Sequence, residues 1–209
     1  MAEKNQEGNG YTKRDEELAT LQSDELKRKK RIKLAIYIAI FAVFQVIVIT
    51  VFGLVVMRAK SPKLRLSNNI DFHNLNIVNV GSSPSFDINF STQVRVKNSN
   101  FGPYKFDNTT AIFTYGGATV GHVIIPKGKA GLKSTKKINV IVSLSSSQLP
   151  NTADLGTELA AGTLTLSTTV KMTGKVELML IMKKKKSANM NCTIIIDVNQ
   201  KKLRNLECM

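Results

Sequence analysis

From Leu34 to Met57 the chain runs for twenty-four residues without one acid or base, and such a segment dictates where everything else can fold. As a helix it reaches about 36 Å at 1.5 Å per residue, enough to cross a hydrocarbon core of about 30 Å with some tilt. A surface helix of a globular protein keeps a polar face and a buried core helix is shorter, whereas this run is long and apolar all round. A cleavable leader is excluded by the thirty-three residues in front of it and by the lack of an A-x-A-like site behind it. The stretch 34–57 therefore predicts a signal anchor that stays in the protein and contacts the lipid bilayer.

The flanks predict orientation. Lys27, Arg28, Lys29, Lys30, Arg31 and Lys33 crowd the N-terminal border, while Arg58, Lys60, Lys63 and Arg65 are fewer and more spread. The positive-inside rule thus places the N-terminus in the cytosol. Three N-glycosylation triplets agree: they begin at Asn89, Asn108 and Asn191, all past the span. Cys192 and Cys208 also lie there, where an oxidising compartment lets them pair. The expectation is a single-pass protein, N-terminus cytosolic and C-terminal domain extracellular or lumenal, with the plasma membrane as its site.

Charge is divided unevenly along the chain. Residues 1–33 carry nine basic and seven acidic side chains, and residues 58–209 carry twenty-one and eight, a net of +13. A bilayer would separate that basic part from nucleic acid, so nucleic acid is excluded as a partner. Anionic lipid, acidic wall polysaccharide and other membrane proteins are the partners within reach. Residues 1–33 are too short and polar to bury a core and read as a cytosolic tail that is disordered, or partly helical near the membrane, with 58–68 as a juxtamembrane linker.

Residues 69–209 read as strands. From Phe86 to Lys97 apolar and polar residues alternate strictly, and the same period recurs at Ile138–Leu144, Leu164–Met172, Val176–Met182 and Met190–Val198. Gly116-Gly117 predicts a two-residue hairpin, Pro126 to Gly131 a loop, and Gly174 a bulge or bend. Asn151-Thr152 can open a short helix containing Leu155 and Leu159 and closed by Gly162. About seven half-buried strands and one brief helix make the domain all-β, a β-sandwich of the fibronectin type III or immunoglobulin kind behind one transmembrane helix.

Candidate sites are few. Cys192 is on the inward face of its strand, and a turn at Asn199 to Lys202 can bring Cys208 alongside, so a structural disulfide is expected. Lys183, Lys184, Lys185 and Lys186 form the sharpest surface feature, read as a charged hairpin loop that can contact an anionic surface. Lys127, Lys129, Lys133, Lys136 and Lys137 are further candidates for that contact. His73 and His122 have no metal-ligand spacing, and only Asp154 and Glu158 could share a helix face, there on solvent. No nucleophile, phosphate-loop or dinucleotide motif is present, so no catalysis, cofactor or metal is expected.

One stretch is specific. Val94-Arg95-Val96-Lys97-Asn98-Ser99-Asn100, then Phe101-Gly102-Pro103-Tyr104 and Tyr115-Gly116-Gly117, resembles the central motif of the second class of late embryogenesis abundant domains. With the anchor and the Lys13-Arg14-Asp15-Glu16-Glu17-Leu18-Ala19 tail, the chain is similar to the plant membrane-anchored, harpin-induced-like branch. That family usually has proline where Ser99 stands. The resemblance implies a fibronectin-like sandwich acting in plant defence or dehydration-stress response by binding at the wall or membrane surface. Lipid binding by related domains implies an alternative, a lipid-binding or lipid-transfer module with an apolar groove between its sheets.

Overall fold

The computed structural model describes residues 8–56, 58–79, 83–178 and 182–209. Two compact units divide the chain, Met1–Val55 and Val56–Met209.

The first unit is one helix, α1 (Gly8–Val56). Glu25–Val55 within it is long and apolar enough to cross a membrane. Ile36, Tyr37, Phe41, Val46, Ile49 and Leu54 are each more than half exposed. The one hydroxyl late in the run is satisfied internally, with Thr50 Oγ1 donating to the Val46 carbonyl at 2.7 Å. Of the two readings of the tail, disordered or partly helical near the membrane, the structure has helix from Gly8 onward; residues 1–7 lie outside the described residues. Strong helix formers such as Glu25, Leu26, Lys27 and Arg28 extend an existing helix without a new nucleus.

The second unit holds β1 (Lys63–Leu66), β2 (Asp71–Val78), β3 (Ser85–Lys97), β4 (Tyr104–Phe106), β5 (Thr109–Tyr115), β6 (Ala118–Ile125), β7 (Gly128–Ala130), β8 (Thr135–Ser145), α2 (Ala153–Ala160), β9 (Thr163–Leu178), β10 (Met182–Asp197) and β11 (Lys202–Cys208). All pairings are antiparallel. In the first sheet β3 is central: one edge carries β1 and then β2, the other carries β8. In the second sheet β10 lies between β11 and β9. The free edge of β9 takes β5 along Ser167–Val170 and β4 along Gly174–Val176, extended outward by β6 and β7.

The two sheets close over one core. Ile88, Phe90, Val94 and Val96 on β3 face Ala111, Phe113, Leu166, Val170 and Ile194 across it, all buried. The Phe90 and Phe113 rings meet edge to face at 6.2 Å, and Phe86 meets Tyr115 at 6.3 Å. Helix α2 lays Leu155 and Leu159 onto the core. Asn151 Oδ1 accepts from the Ala153 N–H at 3.0 Å at its start, and Gly162 closes it at φ +75°.

Several local expectations differ from the structure. Eleven strands stand among the described residues rather than about seven, because short pieces such as β1, β4 and β7 are too brief to show a period. Thus β1 falls inside the stretch 58–68 read as linker, and β7 inside the expected loop 126–131. Gly174 marks no bulge, since β9 pairs with β10 without a break across it. A Cβ there would strike the Lys105 carbonyl and the Tyr104 ring, so glycine is required by the close passage of β4. Gly116-Gly117 does form the hairpin, with φ +54° and +85° and Tyr115 paired to Ala118.

Candidate functional site

The stretch that carries the family-like motif ends β3 in a buried clamp. Asn98 and Asn100 are 1% and 2% exposed, and buried amides persist only when their hydrogen bonds are made. Asn98 Nδ2 donates to the carbonyls of Gly102 (2.8 Å), Gly131 (2.8 Å) and Ala130 (3.3 Å). Its Oδ1 accepts from the Asn100 N–H at 3.1 Å and from Asn100 Nδ2 at 2.9 Å. Asn100 in turn grips Lys60, accepting from its N–H at 2.6 Å and donating to its carbonyl at 2.8 Å. Three segments distant in sequence are thereby joined at one end of the sandwich. Ser99, between the two asparagines, is exposed and outside this network.

That end is densely basic. The expected loop at Lys183–Lys186 is instead part of β10, whose register runs from Met182 opposite Leu178 to Lys186 opposite Gly174; residues 179–181 lie outside the described residues. Strand alternation then splits the four lysines. Lys183 and Lys185 share the outward face, while Lys184 and Lys186 lie on the inward side. Lys185 is opposite Lys175, Lys175 opposite Lys105, and Lys105 opposite Lys129. One row of four lysines thus crosses β10, β9, β4 and β7.

Among the described residues one ion pair tempers the row. Lys105 Nζ lies 2.9 Å from both Oε1 and Oε2 of Glu177. The hydrogen bond from Lys105 holds the Glu177 carboxyl below its ordinary range, against a smaller opposing effect of desolvation. Tyr104 anchors the row from beneath: its hydroxyl donates to the Lys186 carbonyl at 3.2 Å. Burial first, and then the charge of Asp107, push its pKa up to about 12.

Of the lysines named from sequence, Lys185 and Lys129 belong to the row. Lys136 and Lys137 sit on β8 in the other sheet, and Lys133 lies over the Phe101 ring at 3.8 Å. Sequence reading missed Lys105 and Lys175, single charges in unremarkable strands that only cross-strand register groups together.

The remaining candidates are dispersed. Cys192 and Cys208 are opposite each other in the β10–β11 register and bonded, S–S 2.00 Å. Asn89 is on the outward face of β3, its Nδ2 donating to Ser143 Oγ at 3.1 Å; Asn108 accepts from the Lys127 N–H at 2.6 Å; Asn191 is exposed on β10. His73 is on β2 and His122 on β6. Glu158 on α2 reaches Tyr115, whose pKa rises to about 12, first through burial and then through that hydrogen bond. Among the described residues no cluster of metal-ligating side chains exists. A groove of about 440 Å³ beside the lysine row is lined by Asp107, Thr173, Lys175, Lys185 and Lys186.

Residues 93–194 match a protein-family model described as late embryogenesis abundant protein. A late embryogenesis abundant protein of Arabidopsis thaliana is 27% identical over 154 residues, covering 73% of this chain and 71% of the relative. A solution structure described as a late embryogenesis abundant protein is 12% identical at a TM-score of 0.31, covering 93% and 94% of the two chains. Another Arabidopsis thaliana protein solved in solution is 12% identical at a TM-score of 0.36, covering 66% and 83%.

Proposed function

Starting from the fact that this chain is a late embryogenesis abundant domain protein, with the stress-related role that family suggests, we propose that it is a non-enzymatic, membrane-anchored binding protein of plant defence or dehydration-stress response. The α1 span tethers the sandwich in the plasma membrane with the tail in the cytosol. Its lysine-rich end meets an anionic surface, either acidic wall polysaccharide or anionic lipid. Glycans at Asn89, Asn108 and Asn191 accord with that side of the membrane, as does the Cys192–Cys208 bond.

The row Lys129, Lys105, Lys175 and Lys185 carries this reading. Like charges directly opposite in a sheet cost stability, so four in a row are unfavourable unless a counter-surface neutralises them. An apolar lipid-carrying groove has less support, because Phe90, Phe113, Leu166 and Val170 fill the space between the sheets.

Co-sedimentation with pectate and flotation with anionic liposomes test it. Charge reversal at Lys175 and Lys185 is expected to weaken at least one association by about an order of magnitude at low salt, with the effect shrinking as salt rises. Unchanged retention on both would remove the row from the function.

A further inference from the structure

A second basic surface, on the other sheet, is not explained by the lysine row. On the outward face of β1, β3 and β8 the register sets Lys63 opposite Lys97, Arg65 opposite Arg95, and Arg95 opposite Lys137. Neighbouring strands are about 4.8 Å apart, so these five cations occupy one compact patch. None of them joins an ion pair among the described residues. The nearest outward acids on this sheet stand opposite or at positions further along β3: Asp71 opposite Ser91, and Asp87.

The patch is shaped as well as charged. Its five cations line a groove of about 700 Å³ together with Ser67, Asn68 and Asn69, and no carboxylate contributes to the lining. Arg95 is aimed by a buried partner: its Nη2 donates to Ser67 Oγ at 3.0 Å. Ser67 is itself fixed, its N–H donating to the Gln93 carbonyl at 2.9 Å. Two guanidinium forks side by side match the oxygens of phosphate, and the flanking lysines add point charges.

Connectivity selects the source of that phosphate. Lys60, gripped by Asn100, comes four residues after the last residue of α1, and β1 starts three residues later. A tether this short makes contact between the patch and the head groups of the crossed bilayer effectively intramolecular. A soluble polyanion has no such advantage.

We propose that Lys63, Arg65, Arg95, Lys97 and Lys137 form a docking site for the phosphates of anionic phospholipids in the bilayer that the chain itself crosses. The inference rests on the membrane anchorage proposed above. Docking of this face leaves the Lys129–Lys185 row, on the opposite sheet, open to a second partner.

The full chain, reconstituted into vesicles of phosphatidylcholine with or without phosphatidylglycerol, provides the test. Lysines are acylated briefly and quantified by mass spectrometry, with Lys201 and Lys202 as internal references. Labelling of Lys63, Lys97 and Lys137 is expected to fall about fivefold in the anionic vesicles, since each basic residue near such a surface gains affinity of that order. High salt should restore it. The double variant Arg65→Gln/Arg95→Gln should lose the protection while its thermal midpoint holds or rises, because like-charge pairs are relieved.

Equal labelling in both vesicle types, in protein that resists carbonate extraction, overturns the docking site and leaves the anchorage standing. Extraction by carbonate overturns the anchorage instead. Protection by soluble polygalacturonate on neutral vesicles, without protection by phosphatidylglycerol, would reassign the patch to carboxylate polymers. A lowered midpoint of the double variant would mark the patch as a structural element.

Discussion

The two ends of the sandwich are held in opposite ways. At the α2 end, Leu155 and Leu159 pack on the core and close it with apolar surface. At the β1 end, the closing groups are the amides of Asn98 and Asn100, and the rim is ringed by lysine and arginine. An apolar cap tolerates reshaping because its contacts have no direction. A directional amide network holds Lys60, Gly102 and Gly131 in one arrangement and loses it when any member fails. The end that must fix the position of the incoming chain is thus the end built from hydrogen bonds.

Substitutions can break that contrast. Asn98→Ala leaves buried carbonyls of Gly102, Ala130 and Gly131 without their donor and should cost about 3 to 5 kcal/mol in chemical denaturation. Leu155→Ala at the other end should cost about 2 to 4 kcal/mol, a cavity loss that Leu155→Met largely avoids. Replacing Asn98 by Gln should rescue little, since an amide displaced by one methylene cannot meet three fixed carbonyls. If Asn98→Ala proves milder than Leu155→Ala, the contrast between the ends is lost.

Smaller effects sharpen it. Opening the Cys192–Cys208 bond, which spans sixteen residues of sequence, should lower stability by about 3 kcal/mol in the chain-entropy view, measured as a reductant-dependent midpoint. Each end also carries a buried tyrosine with a pKa of about 12, Tyr104 at the basic end and Tyr115 beside α2. Above about pH 10 the unfolded tyrosine loses its proton while the folded one keeps it, so the unfolded state binds fewer protons. Stability should therefore fall as pH rises from about 10 to about 12. Tyr104→Phe and Tyr115→Phe should each flatten part of that slope in alkaline melts.

The least effect is expected at Thr168, whose buried hydroxyl has no hydrogen-bond partner among the described residues. Thr168→Val should be neutral or stabilising by about 1 kcal/mol, since it removes an unsatisfied polar group at nearly constant volume.

Much of this was legible before any coordinates. The apolar run 34–57 announces a helix long and apolar enough to cross a membrane, because length and the lack of charge are properties of the segment alone. The alternation from Phe86 to Lys97 identifies which side chains are buried, since a strand turns successive residues to opposite faces wherever it lies. Asn98 and Asn100 were visible as a motif, yet nothing local shows that they bind Lys60 and Gly131. The placement of Lys183–Lys186 in a loop went astray for a related reason: four lysines have low strand propensity, and pairing with β9 overrides it.

Period and hydropathy are short-range, so the sequence alone settled the long apolar helix, the buried faces and the sandwich class. Register between strands far apart in sequence depends on which strands become neighbours, and that is decided by closure of the core. Only the tertiary structure therefore aligned Lys129, Lys105, Lys175 and Lys185 on one sheet and Lys63, Arg65, Arg95, Lys97 and Lys137 on the other. Scattered charges became surfaces because backbone hydrogen bonds and apolar packing placed them side by side against their mutual repulsion.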